Sequence, residues 1–250
     1  MMIKYEIKDS IGVLTLNRPE KRNALHPELV KQMKVKLSEI EKDSNVKVLI
    51  ITGEGKSFCA GADLEYLNKL RDFSTLENEK DSMDLSELLL MIYSLPKPVI
   101  AAVNGAAIAG GCGLASACDF IVADESNASF GYSEVKIGFI PAIVSAFLIR
   151  RIGEGIAKQM LLSADVITAK RSYEIGFANY LSSNVLQFSM ELASKLSKNS
   201  QNSTAMTKDL IRKVADLPVT EAVEYSVKLN AISRTTDDFK EGLNHFLTKK

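Results

Sequence analysis

Two turns rich in small residues carry backbone groups that could stabilise a negative charge. They are SFCAGADL at residues 57–64 and NGAAIAGGCGL at residues 104–114, and each follows an apolar run and precedes a predicted helix. The first amides of a helix are unpaired and carry a partial positive charge, and small side chains let a ligand approach them. Two such turns side by side would offer two N–H donors to one oxygen, which is an oxyanion hole. Either turn alone is also what a tight strand-to-helix connection requires.

Glu134 is the candidate proton carrier. It lies in FGYSEVKIGFIPA at residues 130–142, where Gly138 and Pro141 fix the turn that follows it. A carboxyl group held among apolar side chains has a raised pKa, which suits proton transfer near neutral pH. The alternative is that Glu134 is a surface residue beside Lys136, and the local pattern leaves both interpretations open.

Other kinds of site lack the residues that they need. The pattern G-x-x-x-x-G-K-[ST] is absent, and residues 111–116 lack the third glycine of a dinucleotide-binding fingerprint. The two histidines, His26 and His245, are far apart, and no G-x-S-x-G motif occurs, so we expect neither a zinc site nor a Ser-His-Asp triad. The cysteines are expected to fill small buried spaces rather than to act as nucleophiles: Cys59, Cys112 and Cys118.

Composition narrows the class of protein further. The chain has 250 residues, and its 31 Lys plus Arg balance its 31 Asp plus Glu, which argues against a nucleic-acid-binding protein. No apolar run approaches the roughly 20 residues that cross a membrane, and the first residues do not resemble a secretory signal. Three irregularly spaced cysteines favour reduced thiols and a cytoplasmic location.

The elements that must position these residues alternate between strand and helix, which predicts an α/β fold. Apolar, β-branched runs predict strands at residues 11–16, 46–51, 99–103 and 120–123. Helical spacing predicts helices at residues 27–43, 63–70, 76–95 and 110–118, the first with Pro27 in its first turn.

The last part of the chain is predicted to be helical. From about residue 186 the strand pattern ends, and residues 203–215, 220–234 and 237–247 have helical spacing. Such a segment is either a lid on the α/β core or an association surface.

The ordered set of motifs resembles the enoyl-CoA hydratase/isomerase family, also called the crotonase family. The resemblance runs along nearly the whole chain and is carried by LNRPEKRNAL at residues 16–25, FCAGADL at 58–64, KPVIAAVNGAAIAGGCGLASACD at 97–119 and FGYSEVKIGFIPA at 130–142. Residues 133–154 are most similar to bacterial methylglutaconyl-CoA hydratases and their relatives.

The resemblance implies roles for particular positions. The backbone N–H groups of Ala62 and Gly110 would hold the thioester oxygen as it gains enolate charge, and Glu134 would be the acid/base. Contacts with substrate and CoA are implied for Lys21, Arg22, Ala24, Leu25, Ala60, Asp63, Leu64 and Gly111. Phe246 and Lys249 match positions that reach the CoA of a neighbouring subunit. No metal and no cofactor is implied beyond the CoA of the substrate.

The resemblance also implies an architecture. It predicts a crotonase-type spiral of ββα units that binds acyl-CoA, over residues 1–190. Residues 191–250 would then form a helical association segment, giving a homotrimer or a dimer of trimers.

Gly113 departs from the pattern of the family. Hydratases of this family commonly carry two catalytic glutamates; the second corresponds to Glu134, and the first falls on Gly113, which has no side chain to hold a proton. Glu134 alone could serve a hydratase, or it could move a proton between the α- and γ-carbons, as in a Δ3–Δ2 enoyl-CoA isomerase. Another crotonase-type lyase or hydrolase and a non-catalytic acyl-CoA-binding or RNA-binding member are the remaining alternatives. Relatives resembling methylglutaconyl-CoA hydratase often show glycine there too, which places hydration first.

Overall fold

The computed structural model describes residues 1–248. Its strands are β1 (Ile3–Lys8), β2 (Ile11–Leu16), β3 (Val48–Gly53), β4 (Ser57–Cys59), β5 (Val99–Val103), β6 (Ala106–Ile108), β7 (Phe120–Asp124), β8 (Ser129–Gly131), β9 (Ile167–Thr168) and β10 (Tyr180–Ser182). Its helices are α1 (Pro27–Lys42), α2 (Leu64–Leu70), α3 (Thr75–Ser94), α4 (Gly110–Ser116), α5 (Ala142–Ser163), α6 (Ala169–Glu174), α7 (Val185–Leu196), α8 (Gln201–Val214), α9 (Val219–Ser233) and α10 (Asp237–Thr248). Short 3-10 helices lie at Pro19–Lys21 and Glu134–Ile137.

The larger sheet has six strands in the order β1-β2-β3-β5-β7-β10. It is parallel except for the β1–β2 hairpin. Its central strands are buried on both faces, which explains their unbroken aliphatic sequences. One face contributes Leu49 and Ile51 to the main core, and the other packs Val48 and Ile50 against α7.

The smaller sheet has four short strands in the order β4-β6-β8-β9. β4, β6 and β8 are parallel to one another, and β9 is antiparallel to β8. Each of the three parallel strands is only three residues long and leads directly into one of the segments singled out above. This sheet therefore forms the frame of the candidate site.

The α/β class and most long elements that we predicted are confirmed. The strands at residues 11–16 and 99–103 have the predicted bounds, whereas the predicted strand at 46–51 lies at Val48–Gly53. The predicted small-residue helix ends at Ser116 rather than at residue 118. The sequence patterns did not indicate the hairpin strand β1 or the short strands of the smaller sheet.

The C-terminal part is helical, as predicted, from α7 to the end of the described residues. The predicted boundary between residues 190 and 191 falls inside α7, where Ala193 is buried against the larger sheet. α8, α9 and α10 follow, and no residue of these three helices is fully buried. Within residues 1–248, no helix combines the length and the apolar character that a membrane span requires.

Candidate active site

Three turns follow three neighbouring parallel strands of the smaller sheet. Ala62 lies three residues after β4, Gly110 two residues after β6, and Glu134 three residues after β8. The carboxyl ends of parallel strands lie at one edge of a sheet, so all three residues are brought to that edge. Because β6 lies between β4 and β8, the Gly110 turn is the central one.

The Ala62 turn is held by a short parallel pairing with residue 25. The Leu25 amide donates to the Gly61 carbonyl (2.7 Å), and the Asp63 amide donates to the Leu25 carbonyl (2.8 Å). These bonds use the groups on either side of Ala62, and the Ala62 amide has no acceptor among the described residues. Ala62 is half-buried, and an N–H group without a partner in the protein can donate to a ligand.

The Gly110 turn is formed by a strained backbone. Ala109 has φ 51° and ψ −121°, a conformation that costs an alanine free energy. Two bonds hold it: the Ala109 amide donates to the Gly131 carbonyl (2.8 Å), and its carbonyl accepts from the Gly113 amide (3.0 Å). Gly110 then begins α4 without a side-chain cap, and its own amide has no acceptor in the described part of the chain.

The two turns are in direct contact. Gly61 has φ +89°, and a Cβ atom there would lie 2.9 Å from the Ile108 carbonyl oxygen. A Cβ atom on Gly111 would lie 2.1 Å from the Cys59 carbonyl oxygen, so glycine is required at this position for α4 to approach β4. The two unpaired amides therefore occupy adjoining turns, an arrangement that can offer two donors to one oxygen.

Glu134 is buried, with 7% of its surface exposed. It begins the 3-10 helix at Glu134–Ile137, which Gly138 ends in the left-handed conformation, with φ +75°. The Oε2 atom of Glu134 has no hydrogen-bond partner among the described residues. Burial raises the pKa of this carboxyl group above its ordinary value. The alternative that Glu134 is a surface residue beside Lys136 is therefore wrong.

The position of Gly113 is filled by apolar side chains. A Cβ atom on Gly113 would lie 2.2 Å from Cγ1 of Val144 and 3.8 Å from Cδ1 of Leu89. Val144 comes from the first turn of α5, which packs against α4. The site thus has an apolar wall at this point, and Glu134 is the one buried carboxyl that follows this sheet edge without a partner in residues 1–248.

Asp63 has a structural role that the sequence pattern did not indicate. Its carboxylate forms a buried ion pair with the Arg18 guanidinium (2.8 Å) and accepts from the Glu65 amide (3.0 Å) at the start of α2. Burial acts to raise the pKa of Asp63, but the hydrogen bonds from Arg18 and from the α2 amides outweigh it, and the pKa is lowered. Arg18 and Asp63 are 45 residues apart, so no local pattern could reveal the pair.

The residues for which CoA contacts are implied line the same edge but differ in exposure. Lys21 and Arg22 are exposed, and Lys21 forms an ion pair with Glu65. Leu64 is 80% exposed at the start of α2. Ala24, Leu25 and Gly111 are buried, while Ala60 is half-buried and its amide donates to the Arg22 carbonyl (3.0 Å). The cationic candidates therefore lie on the outside of the loop and the small ones within it.

Two further residues for which contact with CoA is implied, Phe246 and Lys249, lie near the end of the chain. Phe246 is 70% exposed on α10. Lys249 lies outside the described residues.

The cysteines and His26 are also capable of chemistry, but they have structural roles. All three cysteines are free and buried, and burial raises the pKa of each thiol to about 12, so none is activated as a nucleophile. His26 is the N-cap of α1, where its Nδ1 atom accepts from the Glu28 amide (3.2 Å). Among the described residues, no group of three or more His, Cys, Asp or Glu side chains is placed to hold a metal ion.

Comparison with known proteins gives one consistent family. The sequence model of the enoyl-CoA hydratase/isomerase family matches residues 6–250. A provisionally named enoyl-CoA hydratase of Thermus thermophilus is 39% identical, with 100% of this chain and 98% of that protein covered. The short-chain-enoyl-CoA hydratase of Clostridium acetobutylicum is 34% identical, covering 98% of this chain and 94% of that protein. A crystal structure from Legionella pneumophila, provisionally described as an enoyl-CoA hydratase/isomerase (crotonase), superposes with a TM-score of 0.92 at 40% identity, covering 100% and 97% of the two chains.

Proposed function

Because the chain belongs to the enoyl-CoA hydratase/isomerase family, we propose that it adds water across the α,β double bond of an enoyl-CoA thioester. The observation that carries this proposal is the placement of a buried, unpartnered Glu134 carboxyl at the sheet edge that also presents the free amides of Ala62 and Gly110. Relatives named as short-chain-enoyl-CoA, crotonyl-CoA and 2,3-dehydroadipyl-CoA hydratases support the reaction type.

The two amides act on the thioester carbonyl. When a nucleophile adds to the β-carbon, negative charge moves onto the carbonyl oxygen and an enolate forms. N–H donors already fixed in position stabilise that charge without reorganising, and loss of one such donor typically costs about 10²- to 10³-fold in rate. The strained Ala109 turn and the contact between the two loops hold these donors in place.

Glu134 carries the proton. In its ionised form it takes a proton from water as the water oxygen bonds to the β-carbon. The protonated carboxyl then gives a proton to the α-carbon, the enolate becomes a thioester again, and Glu134 returns to its ionised form. One water molecule is added, and the carboxyl group is unchanged. The raised pKa of Glu134 makes both proton transfers easier near neutral pH.

Isomerisation is the second candidate reaction, and the wall at Gly113 favours it. With Val144 and Leu89 at this point, the site offers one carboxyl group to the substrate rather than two. A single carboxyl group can move a proton from the α-carbon of a 3-enoyl-CoA to its γ-carbon and so bring the double bond into conjugation. No water is added in this reaction, which makes the two candidates separable by mass.

A panel of CoA thioesters with mass detection tests both reactions. Crotonyl-CoA and 3-methylglutaconyl-CoA should lose their conjugated absorbance and gain the mass of water. A 3-enoyl-CoA that gains conjugated absorbance at constant mass would instead establish the isomerase. No change with any thioester, in protein shown to bind CoA, would contradict both reactions and favour a non-catalytic acyl-CoA-binding protein.

We also propose that the exposed cations Lys21 and Arg22 bind phosphate groups of CoA, and that Ala60, Asp63 and Leu64 line its path to the site. Cationic side chains at the rim suit phosphate oxygens. The buried residues Ala24, Leu25 and Gly111 shape the site from within, where a Cβ atom on Gly110 would lie 2.9 Å from the Leu25 Cδ1 atom. Asp63 acts by shaping the Ala62 turn, because its carboxylate is engaged by Arg18 and α2 and its amide donates to the Leu25 carbonyl.

The proposed assembly is a homotrimer or a dimer of trimers in the cytoplasm. Its support is the apolar surface that α9 and α10 expose, which includes Val219, Val227, Phe239 and Phe246. Exposed apolar surface of this extent is typical of a protein–protein contact. Phe246 and Lys249 would then approach the CoA of a neighbouring subunit. Three free, buried thiols support a reducing compartment.

A further inference from the structure

Among residues 1–248, the Glu134 carboxyl has no side-chain partner that fixes its position. Its Oε2 atom is buried without a hydrogen bond among the described residues. A catalytic carboxyl needs a defined distance to the reacting carbons, because a misplacement of about 1 Å can cost about 10²-fold in rate. The position of Glu134 must therefore be set by whatever holds the backbone of residues 131–134.

Two hydrogen bonds tie this segment to α4. The first joins backbones: the Ala109 amide donates to the Gly131 carbonyl (2.8 Å), just before the start of α4. The second joins side chains: the Tyr132 hydroxyl lies 2.9 Å from Oγ of Ser116, at the last residue of α4. Tyr132 is fully buried and stands two residues before Glu134.

The number of available protons shows which hydroxyl donates in the hydrogen bond between Tyr132 and Ser116. The Ser116 hydroxyl has one proton and donates it to the Cys112 carbonyl (2.9 Å), four residues earlier in α4. Tyr132 must then donate to Ser116 Oγ. The Tyr132 hydroxyl is thereby anchored on the helix whose first residue, Gly110, carries the proposed oxyanion donor.

We infer that Tyr132 is a positioning residue: through its hydrogen bond with Ser116 it holds the Glu134 carboxyl at a fixed distance from the Gly110 amide. The two ties attach to opposite ends of α4, and the Tyr132 tie fixes residues 132–134, which lie beyond the pairing of β8 with β6, against the same helix. The effect of Tyr132 on the reaction rate rests on the proposed function, whereas its effect on the position of the Glu134 carboxyl does not.

The groups around Glu134 are charged in a way that lets an effect of its position be told apart from an effect of a neighbouring charge. The groups facing it are Tyr132 on its own segment and Cys112 on α4. Burial raises the pKa of Cys112 to about 12 and holds that of Tyr132 well above its ordinary value, so both are neutral at neutral pH. The half-buried Arg151 guanidinium of α5, which donates to the Ser116 carbonyl (3.3 Å), keeps its charge as arginine does in proteins. Removing the Tyr132 hydroxyl therefore removes no charge, and any change at Glu134 reports its position and hydration.

The test compares Tyr132→Phe with Tyr5→Phe in the full-length protein. Tyr5 also has a buried hydroxyl, without a partner among residues 1–248, but it lies on β1 at the far edge of the larger sheet. With an enoyl-CoA that the wild type hydrates, Tyr132→Phe should lower kcat about tenfold and leave KM within about twofold, because substrate binding is unaffected. Tyr5→Phe should retain the wild-type kcat. Ser116→Ala should reproduce the loss, and the double variant Ser116→Ala/Tyr132→Phe should lose no more than either single variant.

A carbon-13 NMR titration of the Glu134 carboxyl tests the inference without turnover. The signal of this carboxyl is identified by its absence from the spectrum of Glu134→Gln. A carboxyl that is held less firmly gains water, so its midpoint should fall by about half a pH unit in Tyr132→Phe and stay unchanged in Tyr5→Phe. If the wild type hydrates no thioester, the proposed function fails while this titration still decides the inference. An unchanged midpoint and unchanged kcat in Tyr132→Phe, even with a lower melting temperature, would overturn it.

Discussion

Val144 occupies the space into which any side chain at residue 113 would project, with its Cγ1 atom 2.2 Å from the Cβ position of Gly113. Gly113 lies in the middle of α4, where an alanine would ordinarily be preferred to glycine by about 0.5–1 kcal/mol. The clash reverses this preference. The glycine is therefore a requirement of the packing between α4 and α5.

We predict that Gly113→Ala destabilises the protein by about 1–3 kcal/mol, the usual cost of overpacking a core. Adding Val144→Ala should recover part of the loss, since it removes the clashing methyl groups. Thermal unfolding of the two single variants and the double variant measures this coupling. A Gly113→Ala protein as stable as the wild type would show that α5 gives way without cost.

The pH dependence of turnover should show the raised pKa of Glu134. Its base form is needed for water attack, so kcat/KM should rise with pH through an apparent pKa above the ordinary glutamate value of about 4.3. Glu134→Gln should lower turnover by about 10²-fold or more and remove this rise of kcat/KM with pH. Glu6→Gln, at an exposed glutamate of β1, is the matched control and should keep the rise of kcat/KM with pH. Near-wild-type turnover in Glu134→Gln would exclude the proposed role.

The same carboxyl should lower the stability of the folded protein at neutral pH. A group whose pKa is raised by folding stabilises the folded state below its unfolded pKa, and this contribution is lost as pH rises through the folded pKa. Glu134→Gln, which does not titrate there, should therefore become more stable than the wild type as pH rises from about 4 to neutrality. Melting temperatures across this range measure the difference. An equal difference at all pH values would show that burial of the charge is not its cause.

The ion pair between Arg18 and Asp63 should make the opposite contribution. Removing one partner of a buried pair typically costs about 3–5 kcal/mol, so Asp63→Asn should be strongly destabilised at neutral pH. The pKa of Asp63 is lowered by folding, so its contribution is present above the unfolded pKa of about 3.9 and is lost as pH falls through the folded value. Unfolding free energies of the wild type and Asp63→Asn should thus converge in acid. Asp84→Asn, at the exposed Lys34–Asp84 pair, should change stability by at most about 1 kcal/mol.

The site could be predicted from the sequence only where its parts have a local sequence pattern. The long strands and helices have their own periodicity, and the two small-residue turns and Glu134 could be identified from local sequence. The strands β4, β6 and β8 are three residues long and exist because they pair with one another, so no window of sequence indicates them.

The contacts that tune the site join distant residues. Arg18 meets Asp63 across 45 residues, and Tyr132 meets Ser116 across 16. The burial of Glu134, which separates a proton carrier from a surface residue, likewise depends on tertiary packing. Sequence could therefore identify the candidate groups for the chemistry but not the groups that hold them.

Assembly should depend on one face of α10. Phe239, Leu243, Phe246 and Leu247 have the spacing of a single helical stripe, and each is at least 43% exposed in the single chain. A charge in this stripe would have to be buried in the proposed trimer, so Leu243→Asp should yield smaller species by light scattering coupled to size exclusion. Glu241→Lys, on the opposite side of the same helix, changes a charge without entering the stripe and should leave the molecular mass unchanged. If Leu243→Asp also kept the wild-type mass, α10 would not form the subunit contact.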